Sequence, residues 1–400
     1  MNVILNFGLI ILIGIVAAKL LAMLKIPRVL AYVLVGTLLG GSVSGFIHPG
    51  LKNIESYITI ISLSFIAFLI GDMFKWTTIK KIGTKAIWIA IIQSLITTII
   101  VAAGIICLSK THLINIQHLI PTALLLGACA AATAPAATFM IIREYKAKGI
   151  LTNYILMAVS FDDAIGILLF DIAIVIAGVL LRNEQLNPIL AIFIPTKAIF
   201  LSMLIGFLMG IVMSKIEKFF KGKEQKMILA FSFIFITTGL SQQFNISPLL
   251  SSMMLGATFV NFGGNIEKTF SSIEAWSAPL LVIFFILSGS NLDITLLPKV
   301  GVIGALYVIL RTTGKIFGGT FGAFVTKAPK QVQKYLGVAM LPQAGVAIGF
   351  AIFISNLFPE LSSIPTIVLA AVIIFEIIGP LATKFAVFRA GEVPIKEERL

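Results

Sequence analysis

Apolar runs of 18 or more residues recur along the whole chain, and they constrain its fold more than any other feature. Each run is long enough to cross about 30 Å of hydrocarbon as an α-helix. Backbone N–H and C=O groups in lipid must find partners within the segment, and a helix provides them. Only 12% of the 400 residues are charged, against about 25% in soluble domains. The pattern therefore predicts an all-α polytopic membrane protein.

Thirteen transmembrane helices are predicted, and the basic residues predict their orientation. Twenty-two of the 30 Lys and Arg residues follow odd-numbered spans or lie at the C-terminal end. Positive charge in short loops marks the cytoplasmic side, so we expect the N-terminus outside and the C-terminus in the cytoplasm. This retention charge also accounts for the net charge of +13, so we expect no nucleic-acid partner. The predicted spans are 4–24, 29–47, 57–74, 86–108, 119–142, 152–181, 189–214, 226–243, 247–262, 277–297, 300–324, 333–357 and 364–387.

Two of the predicted spans carry a proline in the middle. Pro135 lies in the TAPAAT segment of the fifth span, and Pro342 with Gln343 lies in the LPQAG segment of the twelfth. Proline removes a backbone donor and clashes with the preceding turn, so we expect both helices to be discontinuous. A packing kink is the simpler interpretation of either proline alone. The two spans are seven apart and so run in opposite directions. Paired interruptions in two halves indicate a transport site near the membrane midplane, within inverted repeats that contain two crossed discontinuous helices.

Adjacent acids interrupt the sixth span in SFDDAIGILLF, which contains Asp162 and Asp163. A carboxylate at the bilayer centre costs about 2.5–3.5 kcal/mol, so two in succession need a reason. Helix neighbours point about 100° apart, so the two side chains face different directions. Arg311 and Lys315 in the eleventh span are four residues apart and share a helix face. The economical arrangement pairs one aspartate with one of these cations, and a purely structural ion pair is the alternative.

Four further residues within the predicted spans have less defined roles. Asp171 and Glu376 are accessory acids of the same cavity or are paired structurally, and both interpretations stay open. Cys107 and Cys129 are interpreted as small packing residues. We therefore expect neither a disulfide nor a cofactor.

Beyond the charges, a set of motifs occurs in a characteristic order: Ala132–Thr138, Arg143–Gly149, Phe161–Gly166, the Arg311 to Gly318 run, Pro342–Ala347, Gly379–Leu381 and Ala390–Glu392, preceded by LKIPRVLAYVLVGTLLG at 24–40. In this order the chain resembles the bacterial monovalent cation:proton antiporters, specifically the two-aspartate, electrogenic branch of the sodium/proton exchangers. The resemblance covers nearly the whole chain. It departs at Gly71-Asp72-Met73, where related exchangers more often carry Gly-Leu-Glu.

The resemblance implies roles for particular residues. Asp163 corresponds to the main carrier of cation and proton, and Asp162 to the acid that pairs with Lys315. Thr133 and Ser160 join the two acids in the ion- and proton-binding set. The transported ions would be Na⁺ or Li⁺ and H⁺, and the chain would not be an enzyme.

The resemblance also implies an architecture. Residues 1–400 form one transporter domain in a bacterial inner membrane, as a homodimer. Its scaffold is residues 1–75 and 226–298, its mobile elevator core is residues 86–181 and 300–388, and residues 389–400 are a short cytoplasmic tail.

Carboxylates, hydroxyls and unwound carbonyls are the oxygen ligands that a hard cation such as Na⁺ prefers. A carboxylate site does not by itself reveal cation size, so a K⁺/H⁺ antiporter is an open alternative. A sodium-coupled organic-solute symporter of similar fold is a second one. A channel is disfavoured because the sequence contains no pore-loop filter and no repeated ring of charge.

Overall fold

The computed structural model describes residues 2–394, apart from residues 25, 42, 110–115, 117, 183–187, 265, 293–294, 297–299, 344 and 362. Part of the predicted tail (395–400) and the end of the predicted scaffold (293–294 and 297–298) lie outside the described residues. The described chain is helical and contains no strand. Its helices are α1 (Val3–Ala22), α2 (Arg28–Leu39), α3 (Pro49–Gly71), α4 (Trp76–Thr78), α5 (Thr84–Ser109), α6 (Leu119–Ala131), α7 (Pro135–Glu144), α8 (Ile150–Arg182), α9 (Pro188–Ile216), α10 (Lys223–Gln243), α11 (Pro248–Phe262), α12 (Ile266–Ser290), α13 (Gly301–Val325), α14 (Lys330–Ala339), α15 (Gly345–Leu357) and α16 (Ser363–Arg389).

Eight stretches of the described chain are long and apolar enough to cross a membrane, which confirms the multi-pass, all-α prediction. The count of thirteen spans and the crossing of two discontinuous helices stay predictions. The eight stretches are Val3–Ala22, Ile54–Gly71, Thr84–Ser109, Leu119–Glu144, Ile150–Leu181, Thr196–Phe219, Ile266–Ser290 and Ser363–Arg389.

Helix α8 is capped by a residue from far along the chain. The Glu392 carboxylate accepts hydrogen bonds from the Leu151 N–H (2.6 Å), the Thr152 N–H (2.7 Å) and the Thr152 hydroxyl (2.7 Å). A carboxylate at this position satisfies free N–H groups and complements the helix dipole. A Cβ at Gly149 would lie 2.2 Å from the Glu392 side chain, so glycine is needed here. The cap thereby holds the beginning of the helix that carries Asp162 and Asp163.

The chain divides into two compact units. The first unit comprises Met1–Leu20, Ala31–Gly83 and Thr196–Asn291. Within it α3 packs closely on α11, since a Cβ at Gly256 would lie 2.2 Å from the carbonyl oxygen of Phe68.

The second unit comprises Leu21–Leu30, Thr84–Pro195 and Leu292–Leu400. Helices α5 and α13 approach closely along a row of small residues in α13. A Cβ added at Gly314 or Gly318 would lie 3.0 Å from the Cα of Thr97 or Gln93, respectively. This close approach allows polar groups of α5 to reach the charged side chains of α13.

Two helical interruptions lie within the second unit. Residues 132–134 separate α6 from α7, and residues 340–344 separate α14 from α15, with residue 344 outside the described part. Pro135 occupies the first turn of α7, where its missing N–H costs nothing. The Ala134 N–H donates to the Pro342 carbonyl oxygen at 2.9 Å, so the two interruptions meet through their backbones. Each interruption leaves carbonyl groups free to bind side chains or ions.

Candidate functional site

Asp162 lies at the centre of a buried hydrogen-bond cluster. It is fully buried in α8 and accepts from the hydroxyls of Ser94 and Thr133. The Lys315 ammonium donates to its Oδ2 atom at 3.0 Å, and the Gln93 amide nitrogen lies 3.3 Å from its Oδ1 atom. A buried carboxylate tolerates burial when donors and a countercharge surround it. The Asp162 carboxylate is therefore surrounded by four polar groups from three other segments.

Lys315 is also fully buried, and oxygen atoms surround its ammonium. The Nζ atom lies 2.7 Å from the Thr133 hydroxyl and 3.0 Å from the Gln93 amide oxygen. It also donates to the carbonyl oxygen of Ala131, the last residue of α6. An ammonium has three N–H donors, so these oxygens together with Asp162 satisfy it completely.

Asp163 differs from its neighbour because its carboxylate makes no hydrogen bond to any described residue. It is 2% exposed, and neither carboxylate oxygen has a hydrogen-bond partner within the described chain. A buried carboxylate without a partner is costly when ionised. Such a group readily takes up a proton or a cation, which is the property an exchange site requires.

Arg311 joins the two helical interruptions. Its guanidinium donates to the carbonyl oxygens of Leu341 (2.7 Å) and Ala132 (2.9 Å), with that of Pro342 further away at 3.4 Å. The guanidinium carbon lies 4.2 Å from the centre of the Phe375 ring in α16. Arg311 thus contacts backbone rather than carboxylates, while Lys315 pairs with Asp162.

Gln343 occupies the second interruption and is fully buried. Its amide nitrogen donates to the carbonyl oxygen of Cys129 at 3.0 Å and lies 3.2 Å from the Tyr307 hydroxyl. Its amide oxygen has no partner among the described residues. The side chain therefore ties the second interruption to α6 and leaves one oxygen free.

Three other residues predicted for the site lie outside this cluster of hydrogen bonds. The Ser160 hydroxyl donates to the Leu156 carbonyl oxygen at 2.6 Å within its own helix. Asp171 is half-buried on α8, about 12 Å along the helix axis from Asp163. Glu376 is 4% exposed in α16, and its Oε2 atom has no partner in the described chain.

Several members of the cluster were not predicted from the sequence. Gln93 and Ser94 in α5 were missed, although they are adjacent polar residues in a long apolar helix. That pair is a weak signal, since single hydroxyls and amides occur in many membrane helices. The carbonyl groups of Ala131 and Ala132 leave no signal in residue identity, but the proline at position 135 indicates where free carbonyls lie.

The chain is similar to known cation/proton exchangers in both sequence and fold. It is 25% identical over 357 residues to Cation/H(+) antiporter 19 of Arabidopsis thaliana. The matched region is 84% of this chain but only 44% of that relative's length. Two solved structures of the sodium proton antiporter MjNhaP1 from Methanocaldococcus jannaschii share its fold. One, at pH 8, is 18% identical with a TM-score of 0.68 and covers 97% of this chain and 96% of that one. The other is 17% identical with a TM-score of 0.76 and covers 99% and 97%.

The family comparison covers almost the entire transmembrane region. The family model described as "Sodium/hydrogen exchanger, transmembrane" matches residues 8–389. This match agrees with the apolar helices of the chain and with the fold that it shares with a sodium proton antiporter. The chain therefore belongs to the sodium/hydrogen exchanger family, which is a family of membrane transporters.

Proposed function

We propose that this chain is a secondary active antiporter that exchanges Na⁺ or Li⁺ for H⁺, with Asp163 as the carrier of both ions. The observation that carries the proposal is the unpartnered Asp163 carboxylate, buried beside the fully satisfied Asp162–Lys315 pair. A proton and a metal cation compete for the same carboxylate oxygens. Competition of this kind, alternating between the two sides of a membrane, gives exchange.

The proposed oxygen ligands of the cation belong to α8 itself or to a residue that bonds Asp162. Asp162 is adjacent to Asp163, the Thr133 hydroxyl contacts Asp162, and the Ser160 oxygen keeps lone pairs beyond the bond that it donates. These are hard ligands of the type that Na⁺ and Li⁺ prefer. The proposed ion-binding set is therefore Asp163, Asp162, Thr133 and Ser160. The proposed accessory acids are Glu376 and Asp171.

The exchange is proposed to be electrogenic, as in the two-aspartate branch of bacterial antiporters. Two protons that cross in exchange for one Na⁺ would move one net charge per cycle. The Asp162–Lys315 ion pair supports this stoichiometry, because it supplies a second group that can change its charge state when the cation binds. A single carboxylate would perform only electroneutral exchange.

An elevator movement, a homodimer and a bacterial inner-membrane location complete the proposal. The division into two compact units supports the elevator, since every proposed site residue lies in Thr84–Pro195 or Leu292–Leu400. A core that carries the whole site can move as one body.

The test of the proposed function is exchange by the purified chain in liposomes. A pH gradient is imposed, and Na⁺, Li⁺ or K⁺ is then added alone, with choline as the control cation. We expect Na⁺ and Li⁺ to dissipate the gradient and choline to leave it unchanged. Dissipation by K⁺ alone would favour a K⁺/H⁺ antiporter. A gradient that responds to none of the three cations would contradict cation/proton exchange.

A further inference from the structure

Gln93 contacts both charges of the Asp162–Lys315 pair through two different polar atoms, whereas Thr133 contacts both through its single hydroxyl oxygen. Gln93 is fully buried in α5. Its amide oxygen accepts from the Lys315 ammonium at 3.0 Å, and its amide nitrogen lies 3.3 Å from Asp162 Oδ1. The amide nitrogen also lies 3.3 Å from the Ser94 hydroxyl oxygen. Gln93 therefore bridges the two charges in parallel with their direct contact.

The chemistry of the neighbours determines the orientation of this amide. An ammonium only donates and an ionised carboxylate only accepts, so the amide oxygen must face Lys315 and the nitrogen must face Asp162. No other neutral side chain of this length offers both functions. A charged side chain at position 93 would instead favour one member of the pair.

The packing of α5 does not depend on the Gln93 amide. Gly318 of α13 lies against the backbone of residue 93, where an added Cβ would come within 3.0 Å of both the Cα and the carbonyl oxygen of Gln93. This backbone contact remains when the side chain is replaced by one of the same length. The hydrogen bonds of Gln93 can therefore be removed without creating a cavity between the two helices.

We propose that Gln93 is a positioning residue that holds Lys315 in place, and keeps a donor on Asp162, when the two charges separate to admit a cation. The inference rests on the proposed function, since it requires that a cation draws Asp162 away from Lys315. A buried charge that loses its countercharge is disfavoured, and each neutral hydrogen-bond partner that stays lowers that cost. Gln93 adds one hydrogen bond to each member of the separated pair, beside those from the Ser94 hydroxyl to Asp162 and from Lys315 to the Ala131 carbonyl oxygen, and so lowers the cost of separation.

Two isosteric substitutions test this role because they should move the cation KM in opposite directions. Gln93→Met keeps the length of the side chain and removes both hydrogen bonds, so separation becomes harder. We expect the cation KM to rise about tenfold, which corresponds to about 1.4 kcal/mol. Gln93→Glu gives Lys315 a permanent anionic partner and leaves Asp162 free for the cation. We expect a lower KM and a lower maximal rate, because the cation is released more slowly.

Gln333 supplies the matched control. It lies on α14, and its amide donates to the Ala328 carbonyl oxygen at 2.8 Å. Gln333→Met and Gln333→Glu should leave the KM within about twofold of wild type, since one hydrogen bond away from the site does not change cation binding. The positioning role would be overturned if both Gln93 variants shifted the KM in the same direction. It would also be overturned if they left the KM unchanged and lowered the rate only in proportion to the folded fraction.

A second measurement does not require transport. The thermal midpoints of Gln93→Met, Lys315→Met and the double variant form a double-mutant cycle. We expect the double variant to lose clearly less than the sum of the single losses, because both substitutions break the same hydrogen bond. If the losses of the two single variants were additive and the wild-type chain exchanged ions, the inference about Gln93 would be overturned and the proposed function would stand. A wild-type chain that exchanges no cation would overturn the proposed function, and the transport role of Gln93 with it.

Discussion

Arg311→Met should strongly destabilise the fold, because Arg311 joins both helical interruptions. Its guanidinium makes two close hydrogen bonds, 2.7 Å to Leu341 O and 2.9 Å to Ala132 O. A hydrogen bond to a charged group contributes about 1.5–3 kcal/mol, so the two together contribute about 3–6 kcal/mol. The contact with the Phe375 ring at 4.2 Å adds about 2 kcal/mol at a desolvated site. Relief of the buried charge offsets part of this sum, and we expect a net loss of about 3–5 kcal/mol.

The assay is an unfolding titration of the purified variants in mixed micelles, followed by intrinsic fluorescence. Arg311→Lys should fall between wild type and Arg311→Met, because an ammonium lacks the planar fork that reaches both interruptions. Arg389→Met is the control, since Arg389 is exposed and its guanidinium lies 5.6 Å from the Phe385 ring. An exposed contact of that kind contributes about 0.5–1 kcal/mol. If Arg311→Met lost no more stability than Arg389→Met, the structural role of Arg311 would be refuted.

Three further predictions concern voltage, topology and the cap of α8. Lys315→Gln should retain some exchange, but the rate should no longer depend on a clamped membrane potential. In wild type, one net charge per cycle corresponds to about 2.3 kcal/mol per 100 mV. Wild-type exchange that is indifferent to voltage would argue against two protons per cation. Reporters fused after Leu400 and before Met1 should read the cytoplasm and the outside, respectively, and a cytoplasmic N-terminus would contradict thirteen spans. Glu392→Ala should lower the thermal midpoint in detergent, because three hydrogen bonds to a carboxylate are lost. Glu224→Ala, on the exposed start of α10, should leave the midpoint unchanged. Equal midpoints for the two variants would show that the cap contributes nothing.

The sequence is most informative where a residue is costly in its setting. Asp162, Asp163 and Lys315 stand out because a charge in an apolar run has a large free-energy cost, so its presence demands a reason. Pro135 and Pro342 stand out in the same way, because each removes a backbone donor. The structure places the interruptions of the helices at these prolines.

The sequence is least informative where the site uses ordinary groups. Gln93 is a neutral amide in a long helix, and its role depends on the position of α13, which local pattern does not determine. The choice between Lys315 and Arg311 as the partner of Asp162 is similar. The two cations share a helix face, yet their different heights place one beside Asp162 and the other beside the free carbonyl groups of Leu341 and Ala132.

Exchange by Asp163→Asn in liposomes tests the central claim most directly. Asparagine has nearly the same shape as aspartate but cannot ionise, so it cannot carry the proton and offers the cation no negative charge. With an imposed pH gradient, wild type and Glu224→Gln should both respond to Na⁺ or Li⁺, because Glu224 is exposed on α10, outside the unit that carries the site. Asp163→Asn should fold and purify like wild type and leave the gradient unchanged. Wild-type rates in a well-folded Asp163→Asn protein would contradict the assignment of Asp163 as the carrier.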